Sequence, residues 1–241
     1  MRVPLLPGVE MCEAIAQLNP AQSYLKRLGQ LPMSLGSRQE AAFEQSIYET
    51  AEGVIPDLHD KNHFITPNHS VTAVMNINEL LQCVQVRWGW SPVWSMGTRP
   101  PLTHLPLEIV MRSKVFERVR TSGRALVAVD GWFDAVPDLH VANRNRYAYK
   151  RARSTEPVFL AALAQVSAVP SGCDGLVLIT QGGGGTAGPL QLLAFDAKNA
   201  VEWLDPQLDW HRARELVTQN AVDDQAFETV AVSQRVAVKS R

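Results

Sequence analysis

A cysteine that directly follows an internal methionine is the first feature of this sequence that could do chemistry. If translation starts at Met11, or a protease cuts after it, Cys12 becomes the first residue of the mature chain. The other cysteines are Cys83 and Cys173. Three is an odd number and the spacings are not those of metal ligands, which argues against a disulfide framework and a zinc site. A functional cysteine here would act through the reactivity of its thiol.

Positive charge is concentrated in one segment of a chain whose net charge is -1. Residues 112–153 hold ten Lys or Arg and only four Asp or Glu. A basic segment in an otherwise acidic protein is expected of a phosphate-binding face, although solvated surface charge is the more common explanation. The charge pattern alone leaves nucleic-acid binding open.

Composition and hydropathy narrow the class of protein. The 241 residues, 46% of them apolar, fit one domain. No apolar run reaches the roughly 18 residues of a membrane span, and the apolar stretch in residues 1–10 is too short for a secretory signal. We therefore expect a cytoplasmic chain that does not enter a membrane.

Three histidines, His59, His63 and His69, form a weak candidate for a metal site. They lie in a polar, turn-rich stretch, where histidines are usually exposed. We predict neither a metal nor a cofactor.

Helix signals occur in four segments. Asn19 could cap a helix with Pro20 in its first position, and Ser37 and Glu40 have the spacing of a capping box. The predicted helices cover residues 19–31, 37–54, 199–206 and 209–221.

Strand signals dominate the rest of the chain. Short apolar runs, several with period two and bounded by turn residues, occupy 70–75, 81–90, 124–133, 147–150, 157–163, 175–180, 190–195 and 229–238. Strands without a helix after each favour an α+β fold. We predict a single domain with a largely antiparallel, barrel-like sheet and a few peripheral helices. The run QGGGGTAGP at 181–189 lacks the Lys-Ser/Thr of a P-loop and is predicted to be a flexible loop.

Three segments resemble the sheet segments of one family, the SRAP proteins (SOS response-associated peptidases, or abasic-site processing proteins). They are VRWGWSPVW (86–94), FERVRTSGRALVAVDGWFDAV (116–136) and PVFLAALAQ (157–165). In the same order, MCEAIAQ resembles the family's start, FITPNHSV its Ala-Pro turn, AVEWLDP a late helix and VAVSQRV its closing strand. The resemblance spans residues 11–238. It implies a domain over 11–241 and an extension at 1–10 that is either a misassigned start or removed.

The resemblance implies a covalent function. Family members expose the cysteine as residue one and trap abasic sites in single-stranded DNA as a thiazolidine. An α-amine, with a pKa near 8, is neutral often enough to form an imine with the sugar aldehyde, and the thiol of the same residue then closes the ring. Cys12 would be that residue, and its exposure by an autoproteolytic, peptidase-like step is consistent with the family.

The resemblance also points to two acid-base candidates. The family has an Asn-Ala-Arg-x-Glu segment, and a gap-free count back from the basic block places Glu108 at its glutamate, His104 at its asparagine and Pro106 at its arginine. Alternate residues of a strand share a face, so we expect His104 to point into the pocket of Glu108. There it could shuttle protons or bind phosphate. A partly exposed histidine without a role is an equal alternative.

Several departures mark a divergent member. The family's Cys-Gly-Arg start is Cys12-Glu13-Ala14, the asparagine before its Ala-Pro turn is Phe64, and its His-x-Arg-x-Pro motif aligns with residues 185–189, GTAGP. A phosphate-binding arginine at the start, and both the histidine and the arginine of the later motif, are therefore missing. The resemblance supports self-reversal or proteolysis that depends on that histidine much less than it supports crosslinking.

Candidate DNA contacts follow from the same alignment. Pro67 retains the proline of the family's turn. From the alternation of residues along the strand, we expect Trp90 to stack on a DNA base. We expect Trp88 and Trp132 to be mainly structural. The predicted phosphate contacts are Arg112, Lys114, Arg118, Arg120 and Arg124. We expect a monomer whose partner is single-stranded DNA with abasic sites.

Two other functions remain open. A degenerate relative could bind single-stranded DNA without chemistry. A cysteine hydrolase could use Cys12 with His104, but the motifs that surround such nucleophiles are missing.

Overall fold

The chain folds into two β-sheets, with helices against one of them. The computed structural model describes residues 12–29, 64–95, 98–137, 145–154, 156–169, 171–182 and 191–232. The predicted helix at 37–54, most of the glycine-rich loop, and His59 and His63 lie outside the described residues.

The described residues form twelve strands. They are β1 (Ala14–Ala16), β2 (Ser70–Ile77), β3 (Leu80–Arg87), β4 (His104–Pro106), β5 (Arg124–Val129), β6 (Gly131–Pro137), β7 (Asn145–Ala152), β8 (Val158–Gln165), β9 (Gly175–Gln181), β10 (Gln191–Leu192), β11 (Ala194–Phe195) and β12 (Phe227–Val232).

Five helices and three short 3₁₀ turns complete the described part. The helices are α1 (Ala21–Arg27), α2 (Leu107–Arg112), α3 (Glu117–Ser122), α4 (Ala197–Trp203) and α5 (Trp210–Asn220), and the 3₁₀ turns are Val93–Ser95, Lys114–Phe116 and Asp224–Ala226. None of these helices is long and apolar enough to cross a membrane.

The larger sheet has the order β10-β9-β8-β5-β2-β3, with β11 paired to β8 and β4 to β9. The smaller sheet has the order β1-β6-β7-β12. All strand pairs described are antiparallel except β4 with β9. The predicted α+β fold with a largely antiparallel sheet is therefore confirmed, in the form of two open sheets.

Side-chain alternation gives the large sheet two buried faces. On β5, Leu126 and Ala128 join a cluster with helix residues such as Phe116 and Trp203, which we call the helix-side core. Ala125, Val127 and Val129 face the other way. They pack with Ile15, Trp132 and Phe227 of the small sheet in what we call the inter-sheet core. Helices, large sheet and small sheet thus form three layers.

The two predicted C-terminal helices are present because each has an aspartate cap. The Asp196 carboxylate accepts a hydrogen bond from Asn199 N, and the Asp209 carboxylate accepts one from Arg212 N, both at 2.9 Å. At α1 the expected cap is wrong by one residue, because Pro20 precedes the helix. The Asn19 side chain instead donates to Asp130 at 2.5 Å.

Candidate functional site

Cys12 lies at the entrance to β1, between the small sheet and a turn. Ala14 pairs with Phe133 on β6, and an antiparallel bridge joins Ile15 to Ile65. The chain after Ile65 therefore runs past the Cys12 end of β1, which places the half-buried Pro67 in the neighbouring turn. Cys12 is 1% exposed and belongs to the inter-sheet core.

The contacts of Cys12 introduce a residue that the sequence did not suggest. Its backbone nitrogen donates to Asp134 Oδ1 at 3.0 Å, and its thiol donates to Ala14 O at 3.6 Å. The adjacent Glu13 nitrogen donates to Phe133 O at 2.8 Å and so extends the pairing of β1 with β6 by one hydrogen bond. Asp134 follows the DGWF motif directly, but only the pairing of β1 with β6 shows that it reaches Cys12.

The surroundings of Cys12 keep its thiol protonated. Burial raises the pKa of the thiol well above its usual value, and the negative charges of Asp134 and then Glu13 raise it further. A neutral thiol is a weak nucleophile. The Cys12 sulfur would therefore act only after a positive charge has formed beside it.

The backbone at Cys12 has an unusual conformation. Its φ of +35° is positive, which is uncommon for a residue other than glycine. Such conformations cost about 1 to 3 kcal/mol and persist where the surrounding structure enforces them. Here the enforcing contacts are the bond to Asp134 and the pairing of β1.

A second carboxylate holds the far end of the β1 segment. Asp130 accepts hydrogen bonds from Leu18 N at 2.6 Å, from Asn19 Nδ2 at 2.5 Å and from the Tyr24 hydroxyl at 3.0 Å. Burial raises the pKa of Asp130, and the hydrogen bonds from these donors partly oppose that effect. Asp130 and Asp134, four residues apart, thus bracket the segment that carries Cys12.

His104 points toward the inter-sheet core. It pairs with Leu178 of that core, and its ring packs edge-on against Trp88 with 5.6 Å between ring centroids. Thr103 Oγ1 lies 3.1 Å from its Nδ1, and its Nε2 is buried without a hydrogen-bond partner in the described part of the chain. Burial lowers the pKa of His104 to about 4. Thr180, opposite Pro106, also has a buried hydroxyl without such a partner.

The expected common strand face of His104 and Glu108 is wrong. The strand ends at Pro106, and Glu108 lies in the first turn of α2, where it is exposed. The buried residues of this helix, Leu107 and Val110, pack into the helix-side core. Six residues are too few to show helical periodicity in the sequence.

Trp90 is not an exposed stacking surface. It is 3% exposed, its indole donates to Gln165 Oε1 at 3.3 Å, and it packs on Phe116 in the helix-side core. Among the large apolar side chains of the described residues, the exposed aromatic one is Trp94, at 51%; Val93 and Val115 are also exposed. Period two failed here because β3 ends at Arg87 and Gly89 has a φ of +139°, so Trp88 and Trp90 lie in opposite cores. Trp88 and Trp132 are buried, as expected.

The five basic candidates divide into two groups. Arg112 on α2, Lys114 in the following 3₁₀ turn and Arg118 on α3 are exposed. The Arg120 guanidinium instead donates to Val110 O and Met111 O at 3.0 Å each.

Arg124, like Arg120, donates its hydrogen bonds to backbone carbonyls. It is 7% exposed and donates to Leu208 O at 2.7 Å and Asp205 O at 2.5 Å. Arg120 Nη1 and both Nη atoms of Arg124 donate to backbone carbonyls, so the expected phosphate contacts at Arg120 and Arg124 are replaced by structural roles.

The described residues contain no group of three or more His, Cys, Asp or Glu that could hold a metal ion. His69 is exposed, and its Nδ1 lies 3.0 Å from Thr66 Oγ1 in the turn beside Cys12.

Comparison with known proteins identifies the family. The model of the SOS response-associated peptidase (SRAP) family matches residues 31–239, so the chain belongs to this family. It is similar to the abasic site processing protein YedK of Escherichia coli (strain K12), with 22% identity over 178 residues that cover 71% of this chain and 77% of YedK.

Solved structures share the fold. A phage-related protein of Bordetella bronchiseptica has a TM-score of 0.69 at 20% identity, covering 92% of this chain and 95% of that protein. A protein of Bacteroides thetaiotaomicron has a TM-score of 0.61 at 11% identity, covering 92% of each chain. The family match begins at residue 31, after Cys12, so the argument for a functional role of Cys12 depends on the contacts of Cys12 itself.

Proposed function

We propose that this protein forms a covalent crosslink to abasic sites in single-stranded DNA through Cys12, in a chain from which residues 1–11 are absent. Membership of the SRAP family and similarity to a protein named for abasic-site processing support the substrate class. The observation that carries the proposal is the 3.0 Å contact between the Cys12 nitrogen and Asp134. In the full chain this nitrogen is a peptide amide; in a chain that begins at Cys12 it would be an α-amine beside a carboxylate.

The proposed crosslinking reaction uses the amine and the thiol of Cys12 and the carboxylate of Asp134. The α-ammonium held at Asp134 first gives up a proton, and the neutral amine then adds to the aldehyde carbon of the ring-opened sugar. Loss of water gives an imine. Asp134 can take the proton that the amine releases and return it to the departing hydroxyl. The thiol then adds to the imine carbon, its proton passes to the nitrogen, and a thiazolidine ring results. The positive charge of the protonated imine would lower the pKa of the neighbouring thiol at the moment when the sulfur must react.

The backbone at Cys12 favours the processed form. The angle φ exists only while a residue precedes Cys12, so the cost of its positive value is lost once residue 11 is removed. The bond to Asp134 remains available to the new amine and is strengthened by its charge. Both effects support a mature chain that begins at Cys12.

A surface on the helical side would hold the DNA strand. Trp94 offers an exposed ring, and aromatic stacking contributes about 1 to 3 kcal/mol per base. Arg112, Lys114 and Arg118 flank Phe116 in sequence, and Trp94 packs against the Phe116 ring with 6.4 Å between ring centroids.

The test mixes protein that starts at Cys12 with a single-stranded oligonucleotide containing one abasic site. We expect a heat-stable adduct from this protein and none from Cys12→Ala or Cys12→Ser. Asp134→Asn should slow adduct formation by about 100-fold, a typical value for acid-base assistance. Glu108, which the family resemblance makes an acid-base candidate, should also contribute, so Glu108→Gln should slow the reaction by about 100-fold or more. Glu79→Gln, at an exposed carboxylate in the turn between β2 and β3, is the control and should react at the normal rate. An equal adduct yield from Cys12→Ala would rule out the thiazolidine.

A second candidate function is binding without a crosslink. Two features favour binding alone. The buried Ala14 stands where the family has an arginine, and Trp94 offers an exposed surface. Intact mass of natively expressed protein separates the two: a chain that begins at Cys12 supports the crosslink, and an unprocessed Met1 chain supports binding alone.

A further inference from the structure

Gln17 fills a gap in the large sheet with its side chain. The pairing of β2 with β5 runs from Met75 to Ala73, opposite Ala125 to Val127. The next pair would be Thr72 and Ala128. At that point Gln17 Oε1 accepts from Thr72 N at 2.9 Å, and Gln17 Nε2 donates to Thr72 O and Ala128 O at 2.8 Å each. The carboxamide therefore stands where a peptide group would complete the ladder.

This contact ties one short segment to both sheets. Gln17 directly follows β1, whose backbone belongs to the small sheet, whereas its side chain is bound by the large sheet. A slip of β1 by two residues along β6 would move Gln17 by about 7 Å and break all three hydrogen bonds. The three paired residues of β1 alone offer little resistance to such a slip.

We propose that Gln17 is a positioning residue for Cys12: its carboxamide sets the register of β1 against both sheets and thereby holds the Cys12 nitrogen at the Asp134 carboxylate. The structural part of this inference is independent of DNA chemistry. Its consequence for reactivity rests on the proposed function.

The charges around the Cys12 nitrogen give this role a measurable signature. Asp134 on β6 is in contact with it, and Glu13 is its neighbour in sequence. Lys150 on β7 lies opposite Trp132, with its ammonium 5.8 Å from the ring centroid, and His69 is in the adjoining turn. In a chain that begins at Cys12, contact with Asp134 favours the ammonium form and raises the pKa of the α-amine above its ordinary value of about 8. Loss of register should remove that increase.

The experiment is an NMR titration of the α-amine in Cys12-start protein with ¹³C-labelled cysteine. We expect Gln17→Leu to lower the amine pKa by about one unit or more, as Asp134→Asn does. The double variant should shift no further, because both changes remove the same contact. Gln17→Asn keeps the carboxamide but is one methylene shorter, so it should lower the pKa in the same direction with less risk to folding.

The control is Gln85→Ala. Gln85 donates to Thr72 Oγ1 at 2.8 Å from the exposed side of β3, so it bonds the same residue without touching β1, and its loss should leave the amine pKa unchanged. A wild-type amine pKa in folded Gln17→Leu or Gln17→Asn would overturn the proposal. If the wild-type protein forms no abasic-site adduct, the proposed function fails, while the titration still decides the role of Gln17.

Discussion

Burial of the His104 imidazole fixes its protonation state. With its pKa lowered to about 4, the ring is predominantly neutral between pH 5 and pH 8 and is a weak base there. Its Nε2, which has no hydrogen-bond partner among the described residues, can still donate to or accept from a neutral group. At the residue scale, His104 is suited to hydrogen bonding next to Trp88 and unsuited to the proton shuttling that the sequence suggested.

The first prediction concerns stability. A histidine whose pKa falls on folding costs stability as pH drops below about 6.5, because the unfolded chain then binds the proton more readily. Wild type should therefore lose about 2 kcal/mol more unfolding free energy between pH 7 and pH 5 than His104→Asn. Urea denaturation of both proteins at the two pH values measures the difference. Parallel losses would show that His104 is protonated in the folded protein.

The pH dependence of the rate of adduct formation should reflect a His104 ring that is neutral in the folded protein. We expect no pH limb near 6 to 7 from His104, and the same profile in His104→Asn. A limb in that range that disappears in the variant would contradict the neutral ring.

At the scale of elements, α2 and α3 present their exposed cations on the helical layer of the molecule. Arg120 joins the two helices by donating to Val110 O and Met111 O, at the end of α2. The same basic run thus contains side chains that face solvent and side chains that hold the helices together.

This division yields a prediction on DNA affinity. Replacing Arg112, Lys114 and Arg118 by glutamine should flatten the salt dependence of binding to intact single strands by about two units of slope, at about 0.7 per phosphate contact. Fluorescence anisotropy at several salt concentrations measures the slope.

Arg120→Gln is the control for that experiment. It should lower thermal stability and leave the slope unchanged, since the Arg120 guanidinium is held at the end of α2 by its bonds to Val110 O and Met111 O. An unchanged slope in the triple variant would place the DNA elsewhere.

The sequence predicted these elements unevenly, for physical reasons. Strands such as β5 and β8 lie in continuous apolar runs because both faces of the large sheet are buried, and the capped helices α4 and α5 have local signals. The helices α2 and α3 are six residues each, and β1 and β4 three each, so none is long enough to show a period. Asp134 could not be predicted for a related reason, since its role depends on the register between β1 and β6.

At the scale of the whole molecule, the large sheet curls until its ends approach. A bridge joins Trp88, just after β3, to Leu176 on β9, and Gly89 N donates to Leu176 O at 2.8 Å. This contact explains the barrel-like pattern predicted from the strands, although the sheet stays open. It also places Trp88, and with it His104, in the inter-sheet core that contains Cys12.

The contact between the sheet ends depends on Gly175. A Cβ at this position would lie 2.3 Å from Gly89 O and 2.9 Å from Gly89 C, both backbone atoms that cannot rotate away. Gly175→Ala should therefore push the two ends apart and lower the unfolding free energy by about 2 to 4 kcal/mol. Chemical denaturation measures this loss, with Val169→Ala as the control, because Val169 is 79% exposed in the same β8–β9 connection.

Since Trp88 would move with the displaced strand, Gly175→Ala should also expose the His104 ring and raise its pKa toward 6.5, which an NMR titration would detect. A variant as stable as Val169→Ala, with a His104 pKa still near 4, would show that the sheet ends do not need this contact.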